Sequence, residues 1–252
     1  MQVRETAPLL SLAGIAKVFR DGTRALDGIS IDVAEGAFVS LLGPSGCGKS
    51  TLLRIIAGLA EPSAGTIEGG RGLTGQIGFV FQEPTLMPWA TVSENVYLPL
   101  RIKGQPRAEV EGRIARTLEG LGLRGFERAY PRQLSGGMRM RVSIARALVT
   151  SPRLLLLDEP FAALDEITRF RLNEDLLRLW QEQRWTVIFV THSVFESVFL
   201  ANRVVVMTQR PGRISADLPI ALRYPREGVL RTAPDYMALC RTVSARLAEA
   251  MA

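Results

Sequence analysis

At 252 residues, with 47% hydrophobic and 22% charged side chains, the chain has ordinary globular composition and is long enough for one large α/β domain or a core with a smaller lobe. Its apolar runs, such as "LLLL" at 154 to 157 and "VVVM" at 204 to 207, fall far short of the roughly 18 residues that a membrane-spanning helix requires. Lys and Arg outnumber Asp and Glu by 31 to 25, but they are scattered rather than blocked, so the net charge of +6 reads as a solvated surface rather than a nucleic-acid or membrane footprint.

The N-terminal "MQVRETAPLLSLAGIAKVF" carries an early acid and no bounded apolar block, and reads as a first strand rather than an export signal. Residues 8 to 37 alternate and turn at "RDGTRALDG", which suits antiparallel strands. "FVSLL" (38 to 42) is a short continuous apolar run ending at Gly43; "GPSGCGKST" (43 to 51) follows, and "STLLRIIAGL" resumes with helical spacing until Gly58 stops it. Buried-strand runs recur at "IGFVF" (77 to 81), "RLLLLD" (153 to 158), "TVIFVT" (186 to 191) and "RVVVM" (203 to 207). Short apolar strands alternating with helices predict an α/β fold, a mostly parallel sheet with flanking helices behind an N-terminal antiparallel β subdomain.

Between Pro84 and Thr150 only helical patterns occur, joined by Pro and Gly breaks, so this stretch is expected to be an inserted helical lobe. "TVSE" (91 to 94) fits a capping box, and "PRAEVEGRIARTLEGLG" supplies a helix with a Pro start and a Gly stop. The expected organisation is a single domain over 1–252, with a core of 8–83 and 151–210, a lobe of 84–150 and a short extension of 211–252. That extension ends in the helical "YMALCRTVSARLAEAM" and is too short for a regulatory domain of usual size. Cys47 and Cys240 have no metal-ligand spacing, and both are read as free thiols.

Gly43, Gly48, Lys49 and Ser50 satisfy G-x-x-x-x-G-K-[ST] between a strand and a helix, the arrangement that cradles nucleotide phosphates: Lys49 reaches the β and γ phosphates and Ser50 ligates Mg²⁺. "LLLLDEP" delivers Asp158 to the metal from the end of a buried strand and places Glu159 to polarise the attacking water; the plain alternative is a solvated turn. His192, the single histidine, stands just past "TVIFVT", and Gln82 just past "IGFVF", at the strand ends where α/β sheets place ligands. Gln82 can orient water or metal, while a lone histidine can equally be structural. A second glycine-rich helix start, "QLSGGMRMRVSIARAL" (133 to 148), offers another set of backbone N–H groups to an anion.

With Gly43 to Thr51, Gln82, Leu134 to Gly137, Asp158, Glu159 and His192 in this order, the chain resembles the nucleotide-binding subunit of ABC transporters, a P-loop NTPase family, over about residues 8 to 210. The Leu-Ser-Gly-Gly stretch is its most specific element. The resemblance implies ATP and Mg²⁺ as cofactors, with Lys49, Gln82, Glu159 and His192 catalytic and Ser50, Gln82 and Asp158 at the metal. It also implies a head-to-tail homodimer in which Ser135, Gly136 and Gly137 close on the γ phosphate of ATP held by the other subunit. The loop residues Gly43, Pro44, Ser45, Gly46, Cys47, Gly48, Lys49, Ser50 and Thr51 would surround the phosphates, with Thr51 at the α phosphate. Phe19, where Tyr is common, would stack on adenine unless it is a core aromatic, and Asp165 would communicate across the dimer. Ala162, Met140 and Ser193 depart from the family pattern without removing a metal ligand or the base.

"RAYPRQLSGG" lacks the acidic segment of exporters, so the resemblance is to importers, and "PTLMPWATVSENV" and "THSVFESVFLANRVVVM" look like the subgroup serving nitrate, sulfonate, taurine or pyrimidine-precursor uptake. The implied partners are an integral membrane permease subunit and, indirectly, an extracytoplasmic solute-binding protein, with no nucleic acid. The implied location is the cytoplasmic face of a bacterial inner membrane. Residues 83 to 100, with Pro84, Leu86, Met87, Pro88 and Trp89, would receive a helix of the permease, or else would pack the lobe onto the sheet. Two other readings stand beside this one. Soluble ATPases of DNA repair or ribosome work share these motifs but usually carry long coiled coils or two cassettes, and a P-loop kinase or GTPase leaves the Ser-Gly-Gly loop and His192 without a task.

Overall fold

The computed structural model describes residues 8–73 and 75–251, which form two units: the described residues up to Leu73 together with those from Arg184 onward, and Gly75–Gln183. In the first unit, β1 (Leu10–Val18) and β2 (Arg24–Val33) pair antiparallel, with Leu10 opposite Val33, Leu12 opposite Ile31 and Ile15 opposite Ile29, all six buried. Alternation of apolar and polar residues thus covers one face of the ladder. The first seven residues of the N-terminal strand reading lie outside the described residues. The reversal is also shorter than "RDGTRALDG": it is complete by Thr23, whose carbonyl accepts from Phe19 N at 2.9 Å. The second Asp-Gly pair lies inside β2, where Gly28 at φ +69° accommodates the irregular register instead of a turn.

The buried strand β3 (Phe38–Leu42) leads into α1 (Lys49–Ile56), and β4 (Ala64–Glu68) then returns to pair antiparallel with β1. β4 has no apolar run to announce it. Its place depends on backbone approach, since a Cβ on Gly65, at φ +90°, would lie 2.5 Å from Gly14 O.

The second unit begins with β5 (Ile77–Val80), followed by α2 (Val92–Ile102), α3 (Arg107–Gly120) and α4 (Gly136–Leu148), which pack against one another. The α2 capping box is formed: Thr91 Oγ1 accepts from Glu94 N at 3.3 Å, and the Glu94 carboxylate accepts from Thr91 N at 2.7 Å. That backbone N–H holds the Glu94 carboxyl below the usual carboxylate range. β6 (Leu154–Asp158), wholly buried, pairs parallel with β5, and α5 (Glu166–Gln183) buries Leu172, Leu176 and Trp180 on one face.

The chain returns to the first unit with β7 (Thr186–Thr191), α6 (Val194–Leu200) and β8 (Arg203–Met207). β3 lies between β7 and β8, parallel to both, and all its side chains are buried. β9 (Ile214–Pro219) adds an antiparallel strand beside β8, and α7 (Pro234–Met251) packs on α6, β8 and β9. The segment after 211 is therefore built into this unit. The α/β class, with parallel strands and an N-terminal antiparallel sheet, is borne out. Cys47 and Cys240 are buried free thiols.

Trp180 is among the largest fully buried side chains. Trp180→Ala is expected to cost about 3–5 kcal/mol, read as a lower urea midpoint at unchanged slope.

Candidate functional site

Lys49 opens α1 and is buried, and its ammonium donates to Gly43 O at 2.8 Å and Pro44 O at 2.9 Å, so the loop between β3 and α1 curls around it. The curl crowds a side chain at Gly43 and excludes one at Gly48. A Cβ on Gly43 would lie 3.0 Å from both Cys47 Sγ and Met207 O, and one on Gly48, at φ +103°, 2.7 Å from Leu26 Cδ2 and 2.8 Å from Ala25 O. Pro44, Ser45 and Gly46 form the outer side of the loop, Cys47 is buried beneath it, and Ser50 and Thr51 are half-buried in the first turn of α1. Gly48 gives that turn no side-chain cap and no acid occupies it, which leaves a helix N-terminus suited to an anion. The loop before β9 supports this curl from behind. Arg210 Nε donates to Gly46 O at 3.2 Å, and Gly212 passes so close that a Cβ there would lie 2.1 Å from Cys47 O.

Sheet register brings His192 to the same edge. Leu42 of β3 is opposite Thr191 of β7, so Gly43 and His192 are each the first residue beyond two neighbouring strand ends, and His192 is exposed there. Phe19, in the turn after β1, is 45% exposed, with Lys17 Nζ 5.7 Å from its ring centroid. It is not a core aromatic, and its ring is accessible for stacking.

In the second unit, Val80 of β5 is opposite Leu157 of β6, so the residues leading to Gln82 leave their strand beside Asp158 and Glu159. Asp158 is buried, Glu159 half-buried and Gln82 exposed. Glu159 has φ +45° and Thr85 φ +46°. Left-handed backbone at non-glycine residues costs about 1–3 kcal/mol and collects at functional sites. Ser135 is the N-cap of α4, its Oγ accepting from Met138 N at 3.2 Å, and Gly136 and Gly137 form the first turn. The turn lies against the start of α5: a Cβ on Gly137 would be 2.6 Å from Thr168 Cγ2. Asp165 Oδ1 accepts from Thr168 N at 2.9 Å, and that backbone N–H holds the Asp165 carboxyl below its usual range. The structure thus groups the phosphate loop with His192, Gln82 with Asp158 and Glu159, and Ser135 to Gly137 with Asp165.

The ABC transporter family model matches residues 26–162, over half of the chain. The chain belongs to the ABC transporter family. An uncharacterized ABC transporter ATP-binding protein of Methanocaldococcus jannaschii is 48% identical over 235 residues, covering 90% of this chain and 87% of that protein. An aliphatic sulfonates import ATP-binding protein of Bacillus subtilis is 47% identical over 222 residues, covering 86% of this chain and 85% of that protein. Among solved structures, a dimeric ATP-binding cassette in a post-hydrolysis state with ADP and Pi superimposes with a TM-score of 0.74 at 33% identity, over 85% of this chain and all of that one. This ABC cassette is accordingly an ATP-binding and ATP-hydrolysing subunit.

The donors expected at a metal, the Ser50 hydroxyl, the Gln82 carbonyl and the Asp158 carboxylate, are hard oxygens with one carboxylate among them. Among the described residues no cluster of three or more His, Cys, Asp or Glu could hold a metal alone. That donor set fits Mg²⁺, which keeps waters and binds substrate phosphates alongside one or two carboxylates.

Two residues of the cassette escaped the sequence reading. Asn95, on the buried face of α2, accepts from Met87 N at 2.8 Å and donates to the carbonyls of Met87, Ala90 and Thr91 at 3.2, 3.1 and 3.0 Å. Arg146 of α4 donates to Pro84 O at 3.0 Å and Thr85 O at 2.8 Å, and burial lowers its pKa. Together they hold the loop that follows Gln82. The available signal was an amide inside a helix, between core residues one turn before it, Val92, and directly after it, Val96.

Asn95→Ala removes every one of these bonds to the 87–91 backbone. It is expected to speed amide hydrogen exchange in residues 84–91 by at least about tenfold, while exchange in the phosphate loop stays at its wild-type rate.

Proposed function

We propose that this chain is the ATPase subunit of an ABC importer whose cargo is a small anionic or sulfonate, nitrate or pyrimidine-type solute, and that it works as a head-to-tail homodimer. The observation that carries the ATPase part is the phosphate loop wrapped around the buried Lys49 ammonium, with His192 at the adjoining strand end. The importer part is supported by the 47% identity to an aliphatic sulfonates import protein.

In this reading the N–H groups of the loop and of the first turn of α1 bind the phosphates, Lys49 neutralises the β and γ oxygens, Thr51 meets the α phosphate and Phe19 stacks on adenine. Ser50, Asp158 and Gln82 would hold Mg²⁺, which would supply neutralisation of phosphate charge. Glu159 accepts a proton from the attacking water as it turns towards the γ phosphorus. His192 donates to a γ-phosphate oxygen and stabilises the charge that develops there. The partner's Ser-Gly-Gly turn presents a second helix N-terminus to the same phosphate, so hydrolysis weakens the contact that closes the dimer. Asp165, next to that turn, passes the change between subunits.

The permease subunit docks on the 83–100 region in this reading. Trp89 is 77% exposed and borders a groove of about 330 Å³ lined also by Met87, Tyr97 and Leu98, with Arg101 and Arg107 at its polar side. An indole exposed to this degree beside a groove supports docking rather than packing onto the sheet. Among the described residues no helix is long and apolar enough to cross a membrane. In this reading a permease holds the cassette at the membrane. The extracytoplasmic solute-binding protein would select cargo without touching this chain.

Glu159→Gln is expected to lower kcat by about 10²–10⁴ while sparing ATP binding. The variant should sediment as a dimer with saturating Mg·ATP and as a monomer without it; a monomer in both conditions overturns the dimer mechanism. Purification of the tagged chain from native membranes in mild detergent is expected to retain a multi-span protein at equal stoichiometry. Recovery of soluble or nucleic-acid-associated proteins alone would leave the ATPase and remove the transport assignment.

A further inference from the structure

Helix α6 spans only Val194–Leu200, too short to persist on its own hydrogen bonds, yet it anchors the residue that stands before it. His192 lies between Thr191, the last residue of β7, and Ser193, the N-cap of α6. Thr191 Oγ1 accepts from Ser193 N at 3.0 Å and donates to the buried Glu196 carboxylate at 2.5 Å, and Ser193 Oγ accepts from Glu196 N at 3.3 Å. The backbone on the far side of His192 is therefore tied to the first turn of α6.

The other end of α6 is held by side chains that arrive after β9. The last carbonyls of a helix have no partner within it and carry the negative end of its dipole. Arg226, 3% exposed, places one guanidinium nitrogen 3.0, 2.8 and 2.9 Å from the carbonyls of Val198, Phe199 and Ala201, and the other 3.0 Å from Leu222 O. The guanidinium lies 4.0 Å from the ring centroid of Tyr224, whose hydroxyl donates to Leu200 O at 3.1 Å. At the first turn of α6, the buried Tyr236 hydroxyl, arriving from α7, donates to Phe195 O at 2.9 Å. Few ways remain for α6 to shift without breaking one of these bonds.

We infer that Arg226 and Tyr236 are positioning residues for His192: through α6 they set the loop that carries the histidine, so the segment after β9 takes part in ATP hydrolysis without touching nucleotide. This rests on the reading of His192 as the γ-phosphate donor. Neither residue belongs to the motifs from which the nucleotide site was recognised.

The test uses the full chain and steady-state Mg·ATPase kinetics, read below the melting transition of each variant. Tyr236→Phe, which removes one oxygen from a ring that still fills its site, and Arg226→Met are each expected to lower kcat about tenfold or more while KM for ATP stays within about twofold. Arg226→Lys should recover part of the loss, and Arg246→Ala, on the exposed side of α7, should match wild type. Amide exchange at 191–197 should rise in the first two variants with exchange at 43–51 unchanged. If both variants keep wild-type kcat while melting earlier, or if exchange at 191–197 stays at wild type, the inference is overturned; should Arg226→Met fail to fold, Tyr236→Phe decides alone. His192→Ala separates the premise from the inference. Unchanged kcat in that variant defeats the γ-phosphate role and the inference with it, whereas a large loss there beside a normal Tyr236→Phe defeats the inference only.

Discussion

A buried ammonium must have its protons satisfied, and in this protein the oxygens that satisfy Lys49 belong to the loop it follows. Much of the nucleotide side of the molecule can be derived from that constraint. Gly43 and Pro44 can turn their carbonyls inward only if the chain curls tightly, the curl leaves little volume for a Cβ at Gly43 and none at Gly48, and it must be anchored at both ends. β3, wholly buried between β7 and β8, is one anchor, and α1 with its apolar face is the other. With its own carbonyls turned towards the lysine, the loop has N–H groups left to offer outward. An anion is the partner that matches them.

The elements most legible in the sequence are those whose side chains alone explain them. "FVSLL", "TVIFVT" and "RVVVM" coincide residue for residue with β3, β7 and β8, because a strand covered on both faces reads as an unbroken apolar run. The Thr91 and Glu94 pair was legible because a capping box is a local exchange of two hydrogen bonds. β4 and β9 were not. None of their side chains is buried, and they exist as strands because β1 and β8 offer them a backbone partner.

The same division runs through the candidate site. Gln82, Asp158 and His192 could be picked out because each ends or follows a readable strand, and strand ends are where such sheets carry chemistry. Asn95, Arg146 and Arg226 could not, because their task is to bond backbone carbonyls whose proximity only the folded chain creates. Arg210 and Gly212 make the point most sharply. Arg210 ends the stretch that reads as core and Gly212 falls in the one that reads as an extension, yet the Gly212 backbone packs against Cys47 more closely than any side chain would allow.

The Ser135 hydroxyl, described above as a helix cap, has a further property. It accepts a hydrogen bond from Met138 N, which uses one lone pair and leaves its own proton uncommitted by that bond. A hydroxyl polarised by an incoming N–H is a better donor in turn. The cap therefore aims and strengthens the one group on this turn that could give a proton to a phosphate oxygen while the glycines beside it give theirs from the backbone. Stability of α4 and affinity for a neighbouring subunit's nucleotide would then share a single oxygen atom, and a substitution that removes this oxygen would change both.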